Sequence, residues 1–509
     1  MNEQEKQFIN SHLNDDVRKL ALSKTPDGVD LRFVLEQIDG RQRAKTKLPS
    51  LAANPDIIFP VHLSVEQCSS EATAAYKASI IKWDLPPAQP SPGSPVCRGR
   101  ATFQDGEELH PNSDFTKQSS PRPERKGLGE GLLRSGAVLI DLTGGFGIDF
   151  IALSKLFGKA IYVERNAELC KIAEQNFHTL NLTNTQIVNA EAEDFLKLLT
   201  PPTLPIGEES QVKGGITSSP PVEGLGEVVF FADPARRSES GSRTYAISDC
   251  TPDILQLLPL LKNLQSLPST SPLMRERVKD DSTIGKTSDE GNINPPPLGG
   301  RAGVGLLLKL SPMLDWHKAV EDIQAQGVNV SEVHIVSVKN ECKELLLLVE
   351  LQVEPRPDFR LFCVNDESIL EITATVPSLS SEGERTFLLL PNASIMKAGC
   401  WDFLISRFGV TQADPNSHIF FSDHEIADFP GKQYRIQAVC TMNKKELRNA
   451  LQGITHANIA VRNFPLSADA LRKRLKLKDG GDTYIFGTTI QGEHKLIVAT
   501  PSNLPTREE

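Results

Sequence analysis

The chain has 509 residues, of which 39% are hydrophobic, and a formal net charge of −10. It contains no run of about 18 apolar residues, so we expect no transmembrane helix and no membrane partner. Eight scattered cysteines without a Cys-x-x-Cys pair predict reduced thiols and no metal site. The amino terminus has no apolar signal region, so we expect a cytoplasmic protein.

The charge is distributed unevenly along the chain. Residues 431–509 contain 13 Lys and Arg against 7 Asp and Glu, a balance of +6, which leaves −16 for the remainder. The acidic total argues against indiscriminate nucleic-acid binding, whereas the basic end would favour phosphate-bearing partners locally.

Residues 1–84 are predicted to form a helical domain, because apolar side chains recur at helical spacing around Val17–Leu20 and Leu31–Ile38. The stretch 40–49 contains four basic residues, Arg41, Arg43, Lys45 and Lys47. They are interpreted either as a solvated helix face or as a patch that faces phosphate.

Three segments rich in Pro, Gly and Ser interrupt the pattern. Residues 85–131 are predicted to be a disordered linker, and about 201–226 and 265–303 to be low-complexity insertions. The echo of Gly127-Leu-Gly-Glu130 in Gly224-Leu-Gly-Glu227 indicates that glycine spacing there reflects composition.

Without the insertions, residues 132–352 predict a doubly wound α/β sheet. Its predicted strands are 137–141, 160–164, 186–189, 228–232 and 305–310, with helices between them, and an antiparallel pair at 333–338 and 344–351 closes it. The first strand, Ala137-Val-Leu-Ile-Asp141, leads through Leu-Thr-Gly144-Gly145-Phe-Gly147 into a helix, and Glu164 ends the second strand. This layout is typical of a nucleotide-type cofactor site, although a glycine turn without a cofactor remains an alternative.

Two cofactors fit the glycine turn. A dinucleotide fingerprint needs Gly or Ala where this chain has Phe150, which is too large for that close helix–strand contact. The pattern Asp-x-x-x-Gly-x-Gly instead resembles motif I of class I S-adenosylmethionine (SAM) methyltransferases. The resemblance implies that SAM is held by Asp141, Thr143, Gly144, Gly145, Phe146, Gly147, Glu164 and Arg165, with Glu191 as a candidate acid for the adenine amino group.

After the fourth strand comes Asp233-Pro-Ala-Arg-Arg237, which resembles the Asp/Asn-Pro-Pro-aromatic motif IV of N-methyltransferases. Asp233 would accept the target N–H, Pro234 would fix the loop, and Arg236 would stack on the target or hold a phosphate. Ala235 and Arg236 depart from the motif, which puts base stacking in doubt. A structural turn with surface arginines is the alternative.

The whole chain resembles bacterial class I SAM-dependent methyltransferases with a C-terminal THUMP-like domain. The resemblance rests on the two motifs above, with Gly241-Ser-Arg after the second, on Pro391–Gly399, and on Arg462-Asn-Phe-Pro-Leu-Ser with Leu475–Asp482. It implies an α/β fold in which a Rossmann-like methyltransferase sheet follows the helical N-terminal domain, with a ferredoxin-like segment at 353–432 and a THUMP-like α+β domain at 433–509.

Because THUMP domains deliver RNA to modification enzymes, the resemblance implies methylation of a tRNA or rRNA base nitrogen. Two alternatives stay open: a small-molecule or protein methyltransferase, and a non-catalytic RNA-binding factor that keeps the fold.

Overall fold

The computed structural model describes residues 1–23, 26–83, 137–199, 228–235, 247–264, 305–373 and 385–502. The predicted linker and both predicted insertions lie outside these residues, as do Arg236, Arg237 and the Gly241-Ser-Arg sequence.

The amino-terminal part is helical, as the apolar spacing predicts. Its helices are α1 (Glu3–Ser11), α2 (Val17–Leu20), α3 (Leu31–Ala44), α4 (Pro49–Ala53), α5 (His62–Gln67) and α6 (Glu71–Trp83). Asn2, Asp16 and Asp30 cap the first three helices by accepting backbone N–H hydrogen bonds. The helical part is joined to the helix Ala167–Thr179 by Asn176, which exchanges two 2.8 Å hydrogen bonds with the Ile58 backbone.

Three of the four basic residues at 40–49 bind other groups of the protein, so the prediction of a phosphate-facing patch is wrong for most of this stretch. Arg41 is buried and donates to the backbone carbonyls of Ala52, Asn54, Pro55 and Ile57. Arg43 pairs with Asp39 and Glu66, and Lys47 donates to the carbonyls of Val65 and Glu66. The chain at and after the end of α4 offers carbonyl groups that need donors, and Arg41 supplies them, whereas Lys47 binds carbonyl groups near the end of α5.

A nine-stranded sheet forms the centre of the molecule, in the order β3-β2-β1-β4-β5-β7-β6-β8-β9. Its strands are β1 (Val138–Asp141), β2 (Lys159–Glu164), β3 (Thr185–Asn189), β4 (Val228–Ala232), β5 (Gly305–Leu310), β6 (Asn329–Val338), β7 (Glu341–Glu350), β8 (Arg360–Asn365) and β9 (Ser368–Ile372). The helices between them are α7 (Ile148–Ser154), α8 (Ala167–Thr179), α9 (Ala192–Leu199), α10 (Ile254–Asn263) and α11 (Trp316–Gln324).

Both faces of this sheet are covered, which explains its continuous apolar strands. In β1, Val138 and Ile140 join the apolar cluster on one face, whereas Leu139 joins the cluster on the other. Strands β1 to β5 run parallel to one another, so their carboxyl ends meet at one edge.

The predicted antiparallel pair is present as β6 and β7, but it does not close the sheet. Strand β8 pairs in parallel with β6, and β9 pairs with β8. Residues 360–372 therefore extend the large sheet, although the sequence prediction placed them in the ferredoxin-like segment. Leu361 and Cys363 are buried on one face and Val364 on the other, and this two-sided burial favours an inner position for β8.

A second sheet of seven strands, in the order β11-β12-β10-β13-β16-β15-β14, follows. Its elements are β10 (Phe387–Pro391), α12 (Ala393–Ala398), α13 (Trp401–Phe408), β11 (Thr411–Gln412), β12 (Phe420–Ser422), β13 (Gly431–Cys440), α14 (Lys444–Ala450), β14 (Asn458–Arg462), α15 (Ala468–Leu475), β15 (Tyr484–Ile490) and β16 (Glu493–Pro501). Helix α15 ends at Leu475, because Lys476 adopts a left-handed φ of 58°.

Candidate functional site

The glycine turn lies between the carboxyl end of β1 and the start of α7. Gly145 and Gly147 have φ values of 56° and 82°, which L-residues with a side chain rarely adopt. Gly144 is required for a different reason: a Cβ there would lie 2.2 Å from Cε2 of the buried Tyr162 ring. The backbone of the turn therefore passes so close to Tyr162, on β2, that no Cβ fits between them.

Glu164 ties this turn to the end of β2. Its Oε2 accepts a 2.8 Å hydrogen bond from Gly145 N, and its Oε1 accepts one of 2.8 Å from Asn166 N. The Tyr162 hydroxyl donates to Gly145 O at 2.5 Å. Each carboxylate oxygen can accept a further hydrogen bond, as a ribose diol would require.

Asp141, at the end of β1, is buried. Its Oδ1 accepts a 2.9 Å hydrogen bond from Thr143 N. Burial raises the pKa of Asp141 well above its usual value against the lowering effect of the Thr143 N–H, and the carboxylates of Asp149, Asp233 and Glu164 raise it further. The Thr143 hydroxyl also accepts a 2.6 Å hydrogen bond from Asp233 N, so this side chain links the glycine turn to the end of β4.

Three other residues predicted to bind the cofactor are less directly placed to contact it. The side chain of Phe146 is buried against the helical part, with its ring 5.5 Å from that of Phe59. Only the Phe146 backbone therefore remains for a ligand. Arg165 and Glu191 are exposed, after β2 and just before α9 respectively.

Phe150 occupies the position that argued against a dinucleotide. It is fully buried, stacks on Phe177 with ring centroids 5.0 Å apart, and meets Tyr162 edge-on at 5.5 Å. An aromatic cluster therefore fills the contact where a dinucleotide fingerprint places a small residue.

The predicted catalytic corner follows β4. Pro234 is buried, and Ala235 exchanges two backbone hydrogen bonds of 2.7 and 3.1 Å with Thr251, which holds the loop in place. Asp233 retains 25% side-chain exposure, and its Oδ2 forms a short ion pair with Lys309. Burial raises the pKa of Asp233, although the Lys309 charge opposes this rise.

Lys309, on β5, is the residue that the sequence interpretation missed. It is 3% exposed at its side chain, and burial would lower its pKa, but the charges of Asp233, Glu344 and Asp149 raise the pKa above its usual value. The signal was present in Gly305-Leu-Leu-Leu-Lys-Leu310, since a lysine inside a buried strand is rarely tolerated without a partner.

The structure thus brings Asp141, Thr143, Gly145 and Glu164 to the same edge as Asp233. A cavity of about 1000 Å³ lies elsewhere, in the helical part, beside Asp16, Arg41 and Lys45. It contains no residue predicted to bind a cofactor or to act in catalysis, so side-chain chemistry rather than cavity size locates the candidate site.

Two family models match the carboxyl-terminal part of the chain. One, described as a ferredoxin-like domain, matches residues 387–430, and one described as THUMP domain-like matches residues 431–501. The crystal structure of a "putative methyltransferase" from Porphyromonas gingivalis W83 aligns over 99% of this chain and 100% of that chain, with a TM-score of 0.65 and 22% identity. The chain has a methyltransferase fold followed by ferredoxin-like and THUMP-like domains.

Other solved structures match only part of this fold. An rRNA methylase from Streptococcus thermophilus covers 45% of this chain and 92% of its own, with 12% identity and a TM-score of 0.24. A SAM-dependent methyltransferase from Aquifex aeolicus covers 43% and 85%, with 13% identity and a TM-score of 0.22. The search of curated proteins finds no match.

No helix in the described ranges is long and apolar enough to cross a membrane. The same residues contain no group of three or more His, Cys, Asp or Glu side chains arranged to hold a metal ion.

Proposed function

We propose that this protein is a SAM-dependent methyltransferase that methylates a base nitrogen of a structured RNA such as tRNA or rRNA. The observation that carries the proposal is the hydrogen bond from Asp233 N to Thr143 Oγ1, at 2.6 Å. It joins the turn that would hold the cofactor to the residue that would hold the target. Two motifs whose residues lie 90 apart in the chain are therefore adjacent, which supports the proposal that they act in one site.

The residues at the glycine turn fit SAM. A Cβ added at Gly145 would have only Thr143 O, at 3.7 Å, as a close neighbour, so the space beside this backbone is open to a ligand. Glu164 supplies acceptor oxygens for a ribose diol, and the exposed Glu191 would accept from an adenine amino group. The cofactor, when bound, supplies an electrophilic methyl group on a sulfonium sulfur.

Asp233 would then orient the nucleophile. A carboxylate offers about four acceptor positions, so Asp233 can bind Lys309 through Oδ2 and still accept an N–H from the target nitrogen. This hydrogen bond would hold the nitrogen lone pair toward the methyl group, since in-line transfer depends mainly on positioning. The buried Pro234 and the paired Ala235 would keep the loop rigid while this happens.

The basic surface of the THUMP-like domain supports RNA as the substrate. Helices α14 and α15 pack with the same apolar cluster, on one face of the second sheet. Their outer sides and the segment after α15 expose seven basic side chains, namely Lys444, Lys445, Arg448, Lys473, Arg474, Lys476 and Lys478. Such a surface binds phosphates through release of counterions.

The experiment combines purified protein, SAM labelled in its methyl group, and total RNA from cells that lack the gene. We expect label in RNA with the wild type and none with Asp233→Ala. Label in protein or in a small molecule, but not in RNA, would instead favour the second class of methyltransferase. Failure to bind SAM in calorimetry, with RNA binding intact, would favour a non-catalytic factor.

A further inference from the structure

A buried cluster of charged side chains joins Asp233 to the amino-terminal helical part. Lys309 contacts Asp233 and lies 4.0 Å from Glu344 Oε1, on β7. The other Glu344 oxygen lies 2.6 Å from Lys77 Nζ, on α6. Lys77 Nζ is also 3.0 Å from Oδ1 of Asp149, on α7. This oxygen has no hydrogen bond of good geometry. Five separate segments therefore meet at one polar centre.

Ser69, just before α6, completes the cluster. Its hydroxyl lies 2.7 Å from Asp149 Oδ2 and 3.1 Å from Glu344 Oε1, and Lys77 donates to it at 3.0 Å. A hydroxyl has one proton, so it donates to one of these carboxylates at a time.

Among the five side chains joined by these contacts, the carboxylates of Asp149, Glu344 and Asp233 face the cations Lys77 and Lys309. The charge of the half-buried Lys47 also acts on Glu344 and Lys309. Four of the five joined side chains are 9% exposed or less, and Asp233 alone reaches 25%. Asp233 is therefore the carboxylate of the cluster that water reaches best, at the point where the target would bind. Buried charges are costly unless they are paired, and both Lys77 and Lys309 favour the charged forms of Glu344 and Asp233.

We propose that Lys309 is a positioning residue that holds the Asp233 carboxylate in place and in its charged form. Lys77 and Glu344, deeper in the cluster, alter how strongly that charged form is favoured. The inference rests on the proposed function, because it assigns Asp233 the role of acceptor for the target N–H. It makes α6, which precedes the glycine turn by more than 50 residues in the chain, part of the catalytic apparatus.

The charged and titratable groups that face Asp233 come from several elements. They are Lys309 on β5, Asp149 on α7, Lys77 on α6, Asp141 at the end of β1, and Cys68 before α6. Burial raises the pKa of Asp233 and the Asp149 carboxylate raises it further, whereas Lys309 and Lys77 oppose this rise. Burial by itself would raise the pKa of Glu344, but Lys77 and Lys309 lower it to about 2, so Glu344 stays charged at neutral pH.

The test measures kcat/KM for label transfer into RNA as a function of pH. Lys309→Met should move the acid limb upward by about 1–3 pH units, because it removes an opposite charge in contact with Asp233. Lys77→Met should move it upward by less. Glu344→Gln should move it downward, because it removes a negative charge from the cluster.

Matched variants separate this role from a structural one. Lys309→Arg should keep the wild-type limb, because the positive charge remains. Lys318→Met, at a lysine with 64% side-chain exposure in a surface ion pair, should also leave it unchanged. If Lys309→Met does not fold, the pH profiles of kcat/KM for Lys309→Arg and Glu344→Gln decide whether the proposal holds. A Glu344→Gln limb that stays in place or moves upward would overturn the proposal.

A second measurement does not depend on activity. The free energy of unfolding of the wild type is compared with that of Asp233→Asn across pH. Because the folded-state pKa of Asp233 is raised, the wild type should lose stability relative to this variant as pH rises from the unfolded to the folded pKa.

In the Lys309→Met background this loss should continue to higher pH. The difference in free energy of unfolding caused by Asp233→Asn could have the same pH dependence with and without Lys309→Met. That result would overturn the inference even if RNA is methylated. A shifted curve without any RNA methylation would overturn the proposed function and leave the charge cluster established.

Discussion

Replacing Gly144 by alanine tests whether the glycine turn is built by its contact with Tyr162. The new Cβ would lie 2.2 Å from Cε2 and 2.4 Å from Cζ of that ring. The ring cannot retreat freely, because it is fully buried and meets Phe150 and Phe177 at 5.5 and 5.4 Å. Overpacking of this kind costs about 1–3 kcal/mol.

The backbone must move if the ring does not. A shift of the turn would strain the hydrogen bonds that Gly145 makes with Glu164 and Tyr162. We therefore expect Gly144→Ala to lower the thermal midpoint by about 2–12 °C, at about 2–4 °C per kcal/mol in a domain of this size. SAM affinity should fall by at least tenfold, because the site itself is displaced.

The matched control is Gly305→Ala, on β5, where a new Cβ would meet only Val349 O at an ordinary 3.8 Å. Thermal unfolding and calorimetric titration with SAM are measured for both variants. Gly144→Ala with the stability and SAM affinity of Gly305→Ala would refute the account of the turn.

Three further predictions concern separate parts of the chain. Glu164→Ala should weaken SAM binding by about 10–150-fold, which corresponds to lost charged hydrogen bonds of about 1.5–3 kcal/mol, while Asp233→Ala should bind SAM nearly normally and lose turnover in the labelling assay. Arg41→Lys should lower the free energy of unfolding by about 1–3 kcal/mol in chemical denaturation, because one ammonium cannot reach all four carbonyls that Arg41 contacts. The double change Lys473→Glu with Arg474→Glu should weaken RNA binding and flatten its salt dependence in filter binding, and an unchanged salt slope would argue against the basic surface.

Much of the large sheet could be predicted from the sequence because its signals are local. The apolar strands, the glycine turn and Glu164 follow one another within 30 residues, and each has a physical reason that one sequence can display. The extension of the sheet by β8 could not be predicted in this way. A short apolar strand pairs equally well with either sheet, and long-range packing decides between them.

The sequence gives more information about the backbone of the candidate site than about its ion pairs. Asp233 and Thr143 were predicted from motifs, but their hydrogen bond depends on how β4 lies beside β1. The partners Lys309 and Glu344 come from later strands, and no spacing rule connects them. Arg41 shows the reverse error, since a basic residue on a helix suggested a ligand surface but holds its own chain together.

Nucleoside mass spectrometry of total RNA is the most direct test of the central claim. RNA from cells with the gene, without it, and with only the Asp233→Ala form would be digested and compared. We predict one methylated nucleoside that is present in the first sample and lost from the other two. Identical methylated nucleosides in all three samples would contradict the claim that this protein methylates RNA.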